Sequence, residues 1–247
     1  MGQAIGEEFV EKTKYKYLGP SAQARGVPPP PVELPYDPQL PLIKLPKPDD
    51  IRVPDLPLRT AVERRRSVRE YSPTPLTTNE LSFLLWCTQG VREPAGRTAT
   101  FRTVPSAGAR HALETYLLVN RVAGIVPGIY RYLAWKHALL AHLLLKDVKN
   151  RVTAGALGQT MVNESAVTFI WAAVVERMAW RYGQRGYRYL YLDAGHVCQN
   201  LYLAAETVAC GTCAIAAFAD DDLNDLLGFQ QTEQFTIYMA TVGKKPT

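Results

Sequence analysis

The sequence predicts an α+β fold in which a mixed sheet is flanked by helices. Three stretches carry that prediction. Ser165–Val175 has the unbroken apolar character of a central strand (Ala166, Val167, Phe169, Ile170, Trp171, Val174). Leu113–Asn120 and Gly128–Tyr132 follow one another closely enough to be neighbouring strands, so strands and helices do not simply alternate. Tyr187–Ala209 repeats Leu190, Ala194, Val197, Leu201, Ala204, Ala205 and Val208 at three- and four-residue steps, the longest helical pattern in the chain. Tyr191, Cys198 and Tyr202 widen its apolar band, as for a helix buried centrally or against another subunit.

In chain order, residues 1–57 read as an arm. Twelve of the 18 prolines lie there, including Pro28 to Pro31, which opposes helix and central sheet and favours polyproline II. Ile43, Leu45, Ile51, Val53 and Leu56 alternate with polar or proline residues, so the arm is expected to lie on the body or on a partner. From residue 58 onward the chain reads as one domain. Leu58–Arg66 is helical, with Leu58 and Val62 on one face. Val68–Tyr71 is extended, and Pro73 and Pro75 stop any helix. Thr77 and Glu80 form a capping box for a helix faced by Leu81, Leu84, Leu85 and Thr88 and ended by Gly90.

Arg92–Thr103 reads as a polar loop. His137–Leu145 is open to strand or helix. Asp147–Gly155 is helical, and Gly211 punctuates the long helix. Thr212–Phe218 is a small-residue strand or extended loop. Asp220 caps a short helix stopped by Gly228, and Phe235–Val242 closes the chain as a strand.

At 247 residues and 47% hydrophobic content, the chain can bury a sizeable core. Its +5 net charge comes largely from Arg64–Arg69 and Lys244–Lys245, with no broad basic stripe interleaved with aromatics, so nucleic-acid binding is not expected. No apolar run reaches membrane-span length. The N-terminus lacks signal-peptide order and, with Gly6, the myristoylation pattern. A cytoplasmic protein with reduced cysteines is expected. Cys210-x-x-Cys213 has no second ligand pair, so its expected role is structural. The four histidines form no metal cluster, and His196 is expected in the core.

Four stretches bear the chemistry. Arg64-Arg65-Arg66-Ser67-Val68-Arg69 puts four arginines and one serine in six residues at a helix-to-extended junction, a donor set matched to phosphate. The alternative is a basic helix end that caps its own carbonyls. Pro105-Ser106-Ala107-Gly108-Ala109-Arg110-His111 is a tight turn that backbone can bring close to a flat ligand. Cys210–Phe218 leaves backbone N–H groups bare. Lys244-Lys245 is a second basic pair. A phosphate carrying a large planar group would use all four.

This ordered set resembles the nitroreductase superfamily of flavoenzymes over about residues 58–247. The arm, Arg185-Gly186-Tyr187-Arg188-Tyr189, Asp193-Ala194-Gly195-His196 and Gln199-Asn200-Leu201 resemble its SagB/ThcOx-type dehydrogenase branch. The resemblance implies an intertwined homodimer with FMN at the interface. Arg65, Ser67 and Arg69, within a run that includes Arg66, would grip the FMN phosphate, completed by Lys244 or Lys245. Pro105, Ser106 and Ala107 would reach the ring from the other subunit. Ala216 or Ala217 would offer flavin N5 a backbone N–H, which eases hydride acceptance.

Three departures bear on the chemistry. Ala109 stands where many nitroreductases carry asparagine, and Ala216 where many carry an acidic residue. Arg181-Tyr182 stands where azoline dehydrogenases carry a Lys-Tyr proton-transfer pair; arginine does not deprotonate, so Tyr182 would act alone. The alternative for Tyr182 and Tyr189 is plain packing. Implied substrates are a thiazoline or oxazoline in a modified peptide, or else NAD(P)H with a nitro compound or quinone. From a different class, the basic clusters and proline arm could serve a non-catalytic anion- or partner-binding protein.

Overall fold

The computed structural model describes residues 4–96, 99–229 and 233–246. Its centre is a seven-stranded sheet ordered β1 (Leu42–Lys44), β6 (Ala138–Leu143), β5 (Gly128–Leu133), β4 (Leu113–Val119), β7 (Val167–Val174), β9 (Gln234–Lys244) and β8 (Cys210–Ile215). Each of these strand pairs is antiparallel, and the parallel component enters at the edge, where Ser67 bridges Thr212.

β4 and β7 are buried on both faces, which is why they read as continuous apolar runs. One face takes Leu117, Phe169 and Trp171 against α3 (Thr78–Gln89) and α7 (Gly186–Thr207). The other takes Tyr116, Leu118 and Ile170 against α4 (Val148–Gly155), α5 (Met161–Glu164) and α8 (Asp220–Leu227). Thr77 and Glu80 form the expected reciprocal cap of α3. Gly228, at φ +71°, stops α8, but the N-cap of that helix is Ala219, so Asp220 is its first residue. α2 (Leu58–Arg64) ends two residues earlier than expected, with Arg65 as its C-cap, and it turns Leu58 and Val62 to the outside while burying Ala61.

Two stretches differ from the sequence expectation. The polar loop after α3 is a hairpin, β2 (Val91–Ala95) with β3 (Ala99–Arg102). The arm is not wholly extended: α1 (Ile5–Lys12) precedes its first proline, and β1 joins the sheet edge beside β6. Leu45 and Ile51 are buried as expected, so the arm lies on its own body.

The arm is held by its carbonyls. Arg177 Nε donates to Pro31 O (2.7 Å), Arg131 Nη2 to Leu34 O and Pro35 O (3.1 and 3.2 Å), and Trp180 Nε1 to Val27 O (2.7 Å). Arg177 also pairs with Glu114 at 2.5 Å, with side chains 1% and 4% exposed. Glu114 accepts in turn from Leu34 N–H (2.9 Å), so both buried charges are satisfied. Among the described residues no helix is long and apolar enough to cross a membrane.

Candidate active site

α7 organises the site, with one group of side chains near its C-terminal end and another along its N-terminal half. At the C-terminal end, the segment after α2 lies along β8. Val68 N–H donates to Thr212 O (3.0 Å), and Gly211 permits the approach, since a Cβ there would sit 2.5 Å from Val68 Cβ. This fixes Ser67, whose hydroxyl shares a 3.0 Å hydrogen bond with Tyr202 of α7. Tyr202 OH also accepts from Ala214 N–H (2.8 Å), so this one hydroxyl ties Ser67 to the β8 backbone.

The Arg65 guanidinium lies over the Tyr202 ring at 5.4 Å. Lys245 Nζ pairs with Glu206 (2.6 Å), one helical turn beyond Tyr202. Arg65 and Lys245, 180 residues apart in sequence, thus meet on adjacent turns of one helix. Lys244 instead joins Glu80 of the α3 cap (2.5 Å) and Val208 O (2.9 Å). Arg69 is exposed, near enough to oppose the burial that pushes the Cys213 thiol up. Arg66 is exposed and has no described contact with these groups.

The N-terminal half of α7 holds the Pro105–Ala109 turn. Ser106 Oγ donates to Asp193 Oδ2 (2.5 Å), Ala107 N–H donates to Asp193 Oδ1 (3.2 Å), and His111 N–H donates to Ser106 Oγ (2.8 Å). Burial pushes the Asp193 carboxyl up, against those two hydrogen bonds. Burial, with Arg102 nearby, holds His111 down at about 3, so its imidazole is neutral. Gly108 sits at φ +58°, and a Cβ there would lie 2.6 Å from Tyr182 OH. Tyr182, the last residue of α6 (Val175–Tyr182), therefore rests its hydroxyl against this turn. Its ring meets Tyr189 edge-on at 4.8 Å, and Arg181 stands 5.7 Å from the Tyr182 ring.

Beside α7, at the β8–β9 end, lies an open cavity of about 550 Å³ bordered by Tyr191, Ala194, Gly195, Ala216, Phe218 and Tyr238. Small residues on opposite walls and aromatic rings at the sides suit a flat ligand. Ala216 and Ala217 are exposed at its rim, and the Ala217 carbonyl accepts from Gln159 Nε2 (2.9 Å), which fixes the backbone there. The donor set at Arg65, Ser67 and Lys245 fits a phosphate. The residues present therefore fit a flavin mononucleotide.

A family model described as the nitroreductase family matches residues 62–244. This chain belongs to the nitroreductase family. It is 36% identical over 199 residues to MJ1384 of Methanocaldococcus jannaschii, described as a nitroreductase, covering 79% of this chain and 96% of that protein. It is 34% identical over 111 residues to the trifolitoxin-processing protein TfxB of Rhizobium leguminosarum bv. trifolii, covering 42% of this chain and 29% of TfxB.

Among solved structures, a nitroreductase from Anabaena variabilis aligns at TM-score 0.65 and 28% identity, over 76% of this chain and 38% of that one. The Escherichia coli microcin synthetase McbBCD complex, with truncated pro-MccB17 bound, aligns at TM-score 0.62 and 17% identity over 97% of this chain and 87% of that one, a likeness of fold. This chain thus spans well under half of TfxB and of the Anabaena chain.

Within this nitroreductase-family chain, Arg65, Ser67 and Lys245 come together, and Tyr182 joins the Pro105–Ala107 turn. One chain does not join those two sets. Asp193 and Tyr202, their respective anchors, are nine residues apart on α7, about 13–14 Å along the axis.

Sequence reasoning did not single out those two anchors. Tyr202 read as apolar filler, although a buried tyrosine needs a partner for its hydroxyl, and that requirement is the signal. Asp193 was legible only as part of a resemblance, although a carboxylate on the buried face of a helix needs donors nearby. His196 is exposed rather than in the core, because the apolar band of α7 leaves out positions 195, 196 and 199.

All four cysteines are free, as expected, and burial pushes Cys198 and Cys210 up to about 12. No metal-binding cluster occurs among the described residues.

Proposed function

We propose that this chain is an FMN-dependent oxidoreductase of the SagB/ThcOx type, acting as a homodimer in the cytoplasm on an azoline ring within a modified peptide. When bound, FMN supplies a hydride acceptor at N5. Arg65, Ser67 and Arg69, with Lys245, anchor the phosphate by charge-assisted hydrogen bonds, while Lys244 stays on Glu80. Ala216 and Ala217 present bare backbone to the ring. Pro105, Ser106 and Ala107 of the second copy close the site, and exposed Leu58, Val62, Tyr191 and Leu192 give that copy an apolar surface to cover.

Tyr182 faces the substrate from the turn, and Arg181 keeps a fixed positive charge beside it. The names of TfxB and of the McbBCD complex, both concerned with peptide processing or synthesis, support the substrate class.

The observation that carries this reading is the meeting of Arg65 and Lys245 on adjacent turns of α7. The test is the absorbance spectrum of the purified protein, with bound flavin released and identified. Conversion of an azoline peptide to its azole is then followed by mass. A colourless protein that gains no flavin bands with added FMN would leave the anion- or partner-binding alternative.

A second reading is an NAD(P)H-dependent reductase of nitro compounds or quinones, supported by the likeness to MJ1384 along nearly its whole length. NAD(P)H oxidation in the presence of a nitroaromatic, without azoline conversion, would select it.

A further inference from the structure

A second cavity, of about 640 Å³, shares Pro105, Ser106 and Ala109 with the turn of the candidate site. The β2–β3 hairpin supplies much of the rest of its wall, with Arg92 and Glu93 from β2 and Phe101 and Arg102 from β3. The flavin reading leaves this space without a role.

Arg102 is half-buried there. Its Nε donates to Thr100 Oγ1 (3.2 Å), its Nη1 to Gln89 Oε1 (3.0 Å) and its Nη2 to Val32 O of the arm (3.4 Å). All three acceptors are neutral, and each terminal nitrogen keeps one N–H beyond them. Among the described residues no carboxylate lies within ion-pair distance of Arg102.

Burial pushes this guanidinium down to about 10, so it stays cationic at neutral pH. Glu114 and Glu33 attract it from farther off. Each is engaged elsewhere, Glu114 with Arg177 and Glu33 with Trp135 N–H (3.2 Å). Arg102 is therefore a shielded cation without a counter-ion of its own.

Arg92 adds a second guanidinium at the exposed rim, and Glu93 is the one carboxylate in the wall. With His111 neutral, the lining carries two positive charges against one negative. Phe101, half exposed, and Pro105 put apolar surface beside the charges. Planar donor forks next to an aromatic ring suit a carboxylate on an apolar stem.

We propose that this cavity takes a carboxylate of the peptide substrate, through Arg102 and Arg92, with Phe101 and Pro105 against its stem. It thereby selects which modified peptides are accepted. The proposal rests on the peptide-substrate reading above. In a peptide without phosphate, carboxylates are the only anions near neutral pH, from Asp or Glu side chains or from the C-terminus. Pro105 and Ser106 belong both to this cavity and to the turn, so a carboxylate held here fixes how the neighbouring part of the peptide meets the turn.

The test uses the full-length flavin-loaded protein and synthetic peptides carrying one thiazole, the oxidised form, which does not turn over. Calorimetric titration compares three forms: Glu beside the ring with an amidated C-terminus, Gln with an amidated C-terminus, and Gln with a free C-terminus. The form without either carboxylate should bind about ten- to hundredfold more weakly, since a charge-assisted contact is lost. Whichever single carboxylate restores binding is the source that the cavity reads. The preference should shrink in Arg102→Gln and in Arg92→Ala, while the uncharged form binds all three proteins alike. Glu93→Gln should tighten the carboxylate form about two- to fivefold. Arg102→Gln also frees Val32 O of the arm, so Arg92→Ala and Glu93→Gln, both at exposed positions, carry the test independently.

Equal binding of all three forms by the parent protein overturns the proposal. So does a carboxylate preference that survives both Arg102→Gln and Arg92→Ala. If no thiazole peptide binds in any form, the peptide-substrate reading fails and the proposal falls with it. Thermal unfolding with 3-phenylpropionate against its amide then decides whether the cavity still takes a carboxylate: a rise with the acid alone, absent in Arg92→Ala, keeps the anion site, and no rise removes it.

Discussion

The two halves of α7 hold opposite chemistries. Toward its C-terminus, Tyr202 and Glu206 gather Arg65, Ser67 and Lys245, a set of donors and fixed positive charge. Toward its N-terminus, Asp193, Tyr189 and the neighbouring Tyr182 gather acceptors, hydroxyls and a strained turn. One end can bind an anion and the other can handle a proton, and about 13–14 Å of helix separates their anchors. A single copy thus holds two unlike groups of side chains, and the homodimer proposed above would join one group from each of two copies.

The most drastic test of that contrast is complementation. A copy carrying Arg65→Ala with Lys245→Ala should be inactive, and so should a copy carrying Tyr182→Phe. Co-expressed, the pair should recover turnover, since a mixed dimer has one intact site. No recovery in isolated mixed dimers would mean that both halves serve one chain.

Taken alone, Arg65→Ala with Lys245→Ala should weaken FMN binding by about a hundredfold or more, since each charge-assisted contact contributes roughly 1.5–3 kcal/mol. Fluorescence titration with FMN measures it. At the other half, Asp193→Ala strands Ser106 Oγ and Ala107 N–H and should cost about 1–3 kcal/mol of stability with little change in phosphate affinity. Thermal unfolding reads this loss.

The pH response of the same half has a fixed sign. His111 is held at about 3 in the folded chain, while the unfolded chain protonates near the ordinary value of about 6.5. The unfolded state therefore binds the extra proton between those values, and stability is lost as pH falls below about 6.5 toward 3. His111→Gln should flatten that slope in melts across the range.

The smallest effect expected is that of Tyr202→Phe. It removes the hydroxyl joining Ser67 to Ala214 N–H, at about 1 kcal/mol.

Legibility in the sequence followed the range of the forces involved. The α3 cap was readable because Thr77 and Glu80 interact within one turn, and β7 because burial on both faces leaves no polar position. The hairpin Val91–Arg102 was not, because its outward residues Arg92 and Glu93 mimic loop composition. α1 was hidden by the prolines counted with it, although none precedes Pro20.

At the site, Arg65, Ser67 and Ser106 stood out because the arginine run and the Pro105–Gly108 turn are contiguous in sequence. The partners that place them, Tyr202 and Asp193, are long-range contacts that no local pattern encodes.

The strap of residues 27–35 is clasped through main-chain oxygens by Arg131, Arg177 and Trp180. Every amino acid, proline included, presents that same oxygen. These three fastenings are thus indifferent to side-chain identity, so related chains could rewrite most of the strap while the donors on the body stay put, position 34 excepted, where the N–H that binds Glu114 excludes proline. Drift in that segment would say little about drift in its path.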